Sequence, residues 1–150
     1  VNGEAVAVAD NMRRGYLDIR RRWKPGDTIS LELPMPVERV YANPEVRTDV
    51  GRVALKRGPL VYCAEQVDNA VAVPRLRLPR GAAVSAATRR DLFDGIVTLV
   101  AEGSAVAGDW RDDLYRTSPP EIAPATWTAV PYFLWNNRAP GAMAVWIPEA

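Results

Sequence analysis

Few side chains in this 150-residue sequence could perform chemistry, since it contains one cysteine and no histidine. Without histidine, the chain lacks the usual general base, the commonest metal ligand and every Ser-His or Cys-His nucleophile. Most hydrolytic mechanisms are therefore disfavoured. A formal net charge of +1 also predicts no broad electrostatic field that would attract nucleic acid or anionic lipid.

The single cysteine, Cys63, is followed two positions later by Glu65, and strand geometry would place both side chains on one face. Such a pair could begin a metal site. A zinc site needs about four protein ligands, or three and a water, and no second cysteine or histidine is present to complete one. We therefore interpret Cys63 as a small buried hydrophobic residue.

Asp109, Asp112 and Asp113 surround Trp110 and form the best cluster of carboxylates for catalysis in the sequence. Two carboxylates held about 5–10 Å apart, one of them with a raised pKa, can hydrolyse a glycosidic bond. Acids often cluster in loops, however, and nothing in the sequence places one of these in an apolar pocket. We interpret them as loop residues.

The five tryptophans could furnish a flat platform on which a sugar ring stacks. Trp127, Trp135 and Trp146 lie in the most apolar segments and are predicted to be core or interface residues. Trp110 lies among polar residues and is expected to be the most exposed. It is the candidate for contact with sugar.

A short basic run, residues 20–24, includes Trp23 and could indicate a nucleic-acid site with an aromatic ring for stacking. Members of this run would alternate between the faces of a strand, and Asp18 and Asp27 flank it. We therefore favour a solvated or ion-paired strand end.

Glycine and proline recur too often for long helices, with 10 glycines and 13 prolines. Apolar and polar residues alternate with a period of two, as at Ile29, Leu31 and Leu33. Residues 24–27 (Lys-Pro-Gly-Asp) have the sequence of a type II turn. The pattern predicts an all-β fold, an antiparallel, jelly-roll-like β-sandwich of about ten short strands with little helix. The predicted strands are residues 5–9, 16–23, 28–33, 37–41, 52–56, 60–65, 83–88, 96–101, 126–130 and 143–147.

Three segments, residues 60–65, 126–134 and 143–147, are apolar on both pleat faces. They are predicted to be central strands, covered on one side by a second sheet and on the other by a loop or a neighbouring domain. We treat residues 1–150 as a single sandwich domain, with residues 118–124 as a long connection.

No run of about 18 apolar residues is present, so a transmembrane helix is not expected and the chain should be soluble. The sequence begins at Val1, with no Met, in a strand-like segment, which predicts that it was cut from a longer polypeptide. A targeting signal could then lie upstream, so the compartment is unknown. The lone cysteine slightly favours a reducing compartment such as the cytoplasm.

Three stretches resemble one known family. They are residues 51–65 (GRVALKRGPLVYCAE), residues 16–27 with their Arg-Arg-Trp-Lys-Pro-Gly-Asp ending, and residues 130–146, which begin Val-Pro-Tyr-Phe-Leu-Trp-Asn-Asn-Arg. All three look like hallmark segments of bacterial glycoside hydrolase family 127, the β-L-arabinofuranosidases and their relatives. They follow one another in the right order and span nearly the whole chain.

This resemblance implies a larger enzyme in which an (α/α)-barrel holds the active site and β-sandwich material follows it. Only the sandwich part matches this chain. The family's proposed nucleophile is a zinc-bound cysteine on the barrel side, supported by a glutamate and further cysteines. Cys63 falls in the sandwich-side motif, so no catalytic residue, metal ligand or cofactor is carried over to this chain, and zinc is expected only in the parent's catalytic domain.

The strand pattern and the resemblance together suggest residues that serve structure and docking to the upstream barrel. Gly58-Pro59 would redirect the chain, because proline supplies no ladder N–H. Arg57 and Arg138 could satisfy carbonyls or carboxylates across the sheet ends with their planar forks of donors. The full set is Arg57, Gly58, Pro59, Tyr62, Tyr132, Trp135, Asn137 and Arg138.

Three functional hypotheses follow. The first is a noncatalytic accessory domain of a family 127 glycoside hydrolase, which supports the barrel and could contribute to contacts between subunits. The second is a carbohydrate-binding module with Trp110 in its recognition surface. The third is an autonomous hydrolase that uses an Asp pair. No nucleic-acid or membrane partner is expected, and neither the sugar nor the linkage of the parent enzyme is predicted.

Overall fold

Strands account for most of the regular structure in the computed structural model, which describes residues 1–150. The single α-helix, α1, is one turn long, and no helix is long and apolar enough to cross a membrane. The elements are α1 (Val8–Asn11), β1 (Met12–Arg13), β2 (Tyr16–Leu17), β3 (Val37–Val40), β4 (Arg52–Arg57), β5 (Leu60–Glu65), β6 (Leu76–Arg77), β7 (Val84–Arg89), β8 (Ile96–Val106), β9 (Ile122–Pro131), β10 (Met143–Ala144) and β11 (Ile147–Pro148), with 3-10 helices at Arg47–Asp49, Gln66–Asp68, Val73–Arg75 and Tyr132–Leu134.

Nine of the strands belong to one antiparallel sheet. Its main path runs β11-β4-β5-β9-β8-β6, while β3 pairs with β4, β7 with β8 and β10 with β5. The two ends of this path meet, because Leu78 and Glu149 form a parallel bridge and the Leu78 N–H donates to the Pro148 carbonyl at 3.0 Å. The sheet therefore folds over on itself. The predicted all-β sandwich with little helix is confirmed.

One face of each long strand lines the core, as the period of two predicted. Val53 and Leu55 on β4 point into the same cluster as Tyr62 and Ala64 on β5, and Trp127 on β9 is also fully buried there, as predicted. The other buried members are Val73, Leu76, Leu78, Leu99, Ala101, Ala129 and Ile147.

Strand β5 is covered on both faces over its last four residues, as predicted for a central strand. Tyr62 and Ala64 face the core, while Cys63 and Glu65 lie on the opposite face and are also buried. The second covering layer at Glu65 is a segment of the same chain. The Asn136 N–H and the Arg138 guanidinium both donate to the Glu65 carboxylate.

From residue 37 onward, every predicted strand is present. The prediction for residues 60–65 matches β5, and β8 and β9 are longer than predicted. The predicted strand at residues 143–147 is divided into β10 and β11, and the two-residue strand β6 was missed.

Before residue 35 the strand predictions are largely wrong. Residues 5–9 run into the helical turn α1, only Tyr16–Leu17 of residues 16–23 forms a strand, and residues 28–33 form none. The turn between them is as predicted, with φ of +90° at Gly26 and a 3.1 Å hydrogen bond from the Asp27 N–H to the Lys24 carbonyl. An extended segment becomes a strand only when a neighbour pairs with its backbone over several residues. In residues 28–33 only Thr28 bonds to another backbone segment, through the Asn2 N–H at 3.0 Å.

The chain divides into two compact units, Val1–Pro34 and Met35–Ala150. The sequence suggested one domain over residues 1–150, whereas the nine-stranded sheet lies wholly in the second unit. The first unit contains only α1, β1, β2 and the type II turn as regular features.

Candidate functional site

The turn between β4 and β5 is made by Gly58 and Pro59, two of the predicted structural residues. Arg57 pairs with Leu60, so Gly58-Pro59 is a two-residue hairpin loop, and the φ of +55° at Gly58 suits such a turn. A side chain at Gly58 would also approach Met35, whose Cε would lie 3.0 Å from the new Cβ. The Arg57 guanidinium contacts the Met35 sulfur at 3.8 Å rather than the expected carbonyl or carboxylate.

Tyr62 is a core residue rather than part of a free surface. Its ring is almost fully buried and its hydroxyl donates to the Val97 carbonyl at 3.0 Å. Burial raises the pKa of the Tyr62 hydroxyl, although the nearby charge of Arg57 opposes the rise. Tyr62 therefore has a structural role and is not available for direct contact with another domain.

Arg138 holds two buried carboxylates together, which makes this ion cluster the most concentrated charge in the protein interior. Its Nη1 and Nη2 atoms each lie 2.5 Å from an oxygen of Asp68, and Nη2 lies 2.5 Å from Glu65. The bonds to Asp68, followed by those to Glu65, raise the pKa of Arg138 although burial opposes this. Of the carbonyls or carboxylates expected as partners of Arg138, the structure shows two carboxylates, and Asp68 was not identified in the sequence.

Side-chain amides next to this cluster join β5 to β9. The Asn69 amide nitrogen donates to the carbonyls of Glu65 and Thr128, and its oxygen accepts from the Thr128 N–H at 2.8 Å. The Gln66 side chain fixes the chain that follows β5. Its amide nitrogen donates to the carbonyls of Asn69 and Val71, and its oxygen accepts from the Val73 N–H. Sequence reasoning missed both residues. The only signal was a pair of amides just after a buried strand, where free backbone groups need partners.

The segment anchored by Arg138 presents an aromatic surface. Tyr132 and Trp135 are stacked, with ring centroids 5.9 Å apart, and are 44% and 42% exposed; Phe133 between them is 63% exposed. We call these three residues the aromatic patch. Asn137 is exposed beside it and donates to the Trp135 carbonyl at 3.4 Å. Of the predicted docking residues, Tyr132, Trp135 and Asn137 therefore share one exposed segment.

Trp110 is not the most exposed tryptophan, contrary to the prediction. It is half-buried, whereas Trp23 and Trp135 are exposed. The Arg116 guanidinium covers its ring at 4.3 Å from the centroid, and its Nε1 donates to the Ala107 carbonyl at 3.2 Å. A flat, open platform for a sugar ring is therefore absent at this position.

Two of the three acids around Trp110 are paired with arginines. Asp109 bonds Arg111 and Asp113 bonds Arg116, all near the surface. Bonds from the Arg111 side chain and backbone lower the pKa of Asp109, which is the opposite of what a general acid needs. This arrangement favours the loop interpretation of the cluster.

Cys63 is buried on the face of β5 that also carries Glu65. Burial, reinforced by the Glu65 charge, raises the pKa of the thiol to about 12. The carboxylates of Glu65 and Asp68 are already bonded to Arg138. The interpretation of Cys63 as a buried hydrophobic residue is confirmed.

The basic run of residues 20–24 is ion-paired, as expected. Arg20 bonds Asp18, and Arg21 lies 3.6 Å from Asp27. The Arg21 guanidinium also lies over the Trp23 ring, 5.2 Å from its centroid. Charge in this run is thus partly neutralised within the first unit.

Two family models match the chain, and their boundary falls where the structure divides. The glycoside hydrolase family 127 C-terminal domain matches residues 37–148, and the β-L-arabinofuranosidase GH127 middle domain matches residues 1–35. The chain belongs to glycoside hydrolase family 127. The whole family 127 C-terminal domain match lies in the unit Met35–Ala150, which contains the sheet. The resemblance seen in the sequence is confirmed.

Relatives in family 127 are much longer than this chain. The non-reducing end β-L-arabinofuranosidase of Bifidobacterium longum subsp. longum is 44% identical over 128 residues, which are 80% of this chain and 20% of that protein. The crystal structure of a GH127 β-L-arabinofuranosidase from Geobacillus stearothermophilus T6 is 43% identical with a TM-score of 0.86, covering 99% of this chain and 24% of that one. A GH127 β-arabinofuranosidase structure is 34% identical with a TM-score of 0.84, covering 99% and 22%. The chain thus spans a fifth to a quarter of these relatives.

Proposed function

We propose that this chain is a noncatalytic accessory part of a family 127 glycoside hydrolase and supports a catalytic (α/α)-barrel elsewhere in the same polypeptide. Relatives that are named β-L-arabinofuranosidases contain this region as only 20–24% of their length. The acids of this chain that cluster together are paired with arginines, which suits structural rather than catalytic carboxylates.

The observation that carries the proposal is the aromatic patch. Three large aromatic side chains lie exposed and adjacent in sequence, and exposed apolar clusters of this kind are typical of surfaces that pack against another body. The patch is also held rigidly, because Arg138 and the Asn136 backbone fasten its segment to Glu65. Rigid side chains lose little entropy on docking, which favours a permanent interface. We propose that the catalytic barrel packs against this patch.

The first unit supports the same proposal independently. Ile29, Leu31 and Leu33 are 60–71% exposed and share one face of an extended segment without a paired strand. This part of the chain matches the family 127 middle domain over only 35 residues. We propose that the row packs against the remainder of that domain, which lies outside this chain.

The test compares matched surface changes in the longer polypeptide that contains the barrel. Phe133→Ala with Trp135→Ala should lower its thermal unfolding temperature and its hydrolysis of an aryl β-L-arabinofuranoside. Leu114→Ala with Tyr115→Ala removes a similar area from an almost fully exposed loop and should change neither. Equal behaviour of the two double variants would refute docking at the patch.

Two further measurements separate the remaining alternatives. If the patch variant dissociates an oligomer in gel filtration while the barrel's unfolding temperature is unchanged, the occupant is a second copy rather than the barrel. The 150-residue chain alone should not turn over the arabinofuranoside, whereas turnover would favour the autonomous hydrolase with an Asp pair.

Carbohydrate binding is the second candidate, and one observation favours it. Trp110 lines a groove of about 300 Å³, which is near the lower end of the volumes of small-molecule sites. Isothermal titration of the chain with arabinose-containing oligosaccharides tests this candidate for neutral sugars. Absence of heat at millimolar oligosaccharide would remove it.

A further inference from the structure

The groove beside Trp110 is lined by two arginines and by apolar residues. Arg75 and Arg77 lie close together across the 3-10 helix and β6, and Val106 comes from the end of β8. Pro74 and Pro120 complete the apolar lining. A second hollow, of about 330 Å³, adjoins it and shares Arg75 and Val106. The site therefore combines a shallow apolar floor with two cationic groups.

Both guanidinium groups have donors to spare. Arg75 uses only Nη1, which donates to the Gly108 carbonyl at 3.1 Å. Arg77 also uses only Nη1, which donates to the carbonyls of Pro74 and Leu76 at 3.2 and 2.8 Å. The Nε and Nη2 edge of each group has no protein partner, and it is this edge that grips a carboxylate with two parallel hydrogen bonds.

The arginines at the groove are not held in ion pairs. Arg75 and Arg77 form no salt bridge, although most other arginines of the second unit do. Burial lowers the pKa of Arg77, and the charge of Arg52 lowers it further. The Asp109 carboxylate is bonded to Arg111, and the charge of Arg75 also acts on it. A bound anion would therefore meet two half-buried cations that form no salt bridge.

The surroundings favour a small ligand over a peptide. Strand β6 pairs with β8, and the chain just beyond it bridges to Glu149, so no free strand edge offers main-chain bonds to an extended peptide. Pro74 and Pro120 supply no N–H donors. The Trp110 ring is shielded by Arg116 on one side, which leaves its edge and the prolines to contact the apolar part of a ligand.

We propose that this groove binds the carboxylate of an acidic sugar unit, such as a uronic acid, through the free edges of Arg75 and Arg77. The sugar ring lies against Trp110 and the prolines, and the carboxylate faces the guanidinium groups. The inference rests on the second candidate function, carbohydrate binding at Trp110, and assigns it an anionic rather than a neutral ligand. It is independent of the accessory role.

The experiment titrates the full chain with ligands that differ only in charge, followed by amide NMR shifts. Methyl glucuronide should shift amides at residues 75–77 and 106–110, whereas methyl glucoside should not. Arg75→Gln should weaken glucuronide binding by about tenfold, or about 1.4 kcal/mol, because it removes one charge-assisted partner of the carboxylate. Arg90→Gln removes the same charge from an exposed site near the opposite end of β8 and should leave binding unchanged.

The outcomes distinguish this inference from the carbohydrate-binding function on which it rests. Binding of the glucoside as tight as that of the glucuronide overturns the anionic assignment but keeps carbohydrate binding. If neither the glucuronide nor the glucoside shifts these amides, both the anionic assignment and carbohydrate binding at this groove are refuted. If inorganic phosphate binds as tightly as the glucuronide, the groove is a site for anions in general, and the assignment of an acidic sugar is overturned. If Arg75→Gln perturbs the fold, Arg75→Lys, which keeps the charge but lacks the fork, must still weaken binding for the inference to stand.

Discussion

The guanidinium of Arg138 lies 2.5 Å from the carboxylate of Glu65, a residue 73 positions earlier in the chain. The contact fixes the segment after β9 onto the outer face of β5, and so determines where the aromatic patch is displayed. Both side chains are mostly buried, as is Asp68, which completes the cluster. A buried ion pair of this kind fixes the position of the segment after β9 relative to β5 more than it adds net stability.

Removal of one member should nevertheless be severe. Arg138→Ala would leave two buried carboxylates without a counter-charge, and we expect the free energy of unfolding to fall by about 3–5 kcal/mol. Urea unfolding followed by tryptophan fluorescence measures the change. Arg111→Ala breaks an exposed pair with Asp109 and should have little effect.

Neutralising the partners should restore part of the loss. In a variant with Arg138→Met, Glu65→Gln and Asp68→Asn, no uncompensated charge remains in the interior. Its unfolding midpoint should lie above that of Arg138→Ala. A midpoint equal to or below that of Arg138→Ala would mean that packing, rather than charge, dominates at this position.

The Cys63 thiol should be inert in the folded protein. Because burial raises its pKa to about 12 from 9.0, the native thiol stays neutral at pH 8 and should not react with a disulfide reagent until urea unfolds the chain. Rapid labelling of the native protein at pH 8 would contradict this. The control is the same reaction in denaturant, which should go to completion.

The same shift predicts a dependence of stability on pH. Above pH 9.0 the unfolded chain loses the thiol proton and the native chain keeps it, so the unfolded state binds fewer protons and stability falls as pH rises. The loss should reach about 1.4 kcal/mol per pH unit and end near the native pKa. Cys63→Ala removes this contribution, so the stability of the native sequence relative to Cys63→Ala should decline between pH 9 and pH 12. A constant difference would contradict the buried thiol.

The sequence predicted the parts of the fold that depend on local pattern. Residues 60–65 are apolar on both faces, as a central strand requires, and are preceded by Gly58-Pro59, so both the strand and its turn could be anticipated. Residues 28–33 alternate between apolar and polar but are not a strand, because a strand requires continuous pairing with another backbone and only Thr28 is bonded to one. Alternation indicates which face would be buried, not whether a neighbour is there.

Candidate site residues show the same division. Arg138 could be singled out as an arginine that reaches carboxylates, since its donors need partners near a sheet end. Its main partner, Asp68, could not, because only the β5–β9 register brings residues 70 positions apart together. Trp110 was expected to be exposed from its polar neighbours, but Arg116, six positions further along the chain, covers its ring.

Glu149 fastens the two ends of the sheet, and its charge should matter at neutral pH. Burial alone would raise its pKa, but hydrogen bonds from Tyr41 and Arg80, with the charges of Arg80 and Arg39, lower the pKa below its usual value. A lowered native pKa contributes stability above the unfolded value of 4.5, and this contribution is lost as pH falls. Glu149→Gln should therefore have a lower melting temperature than the native chain at pH 7.

The pH series provides the check on this explanation. The difference in melting temperature between the native chain and Glu149→Gln should shrink as pH falls below 4.5, where the native carboxylate also becomes protonated. Glu121→Gln changes an exposed acid whose side chain has no partner and should show no difference at either pH. A difference for Glu149→Gln that persists unchanged at pH 3 would assign the effect to packing instead.

Gly103 lies where β8 passes under Trp127, and this close approach requires the absence of a side chain. A Cβ at this position would lie 2.6 Å from the Arg77 carbonyl and well inside contact distance of the Trp127 indole nitrogen. The indole N–H donates to that same carbonyl at 3.2 Å, so the methyl group of Gly103→Ala would separate donor from acceptor. We expect a loss of about 1–3 kcal/mol from overpacking, and more if the indole loses its partner. Gly81→Ala adds the same methyl group where no heavy atom lies within 4 Å, and should leave the urea midpoint nearly unchanged; equal midpoints for the two variants would show that the sheet yields at Gly103 without cost.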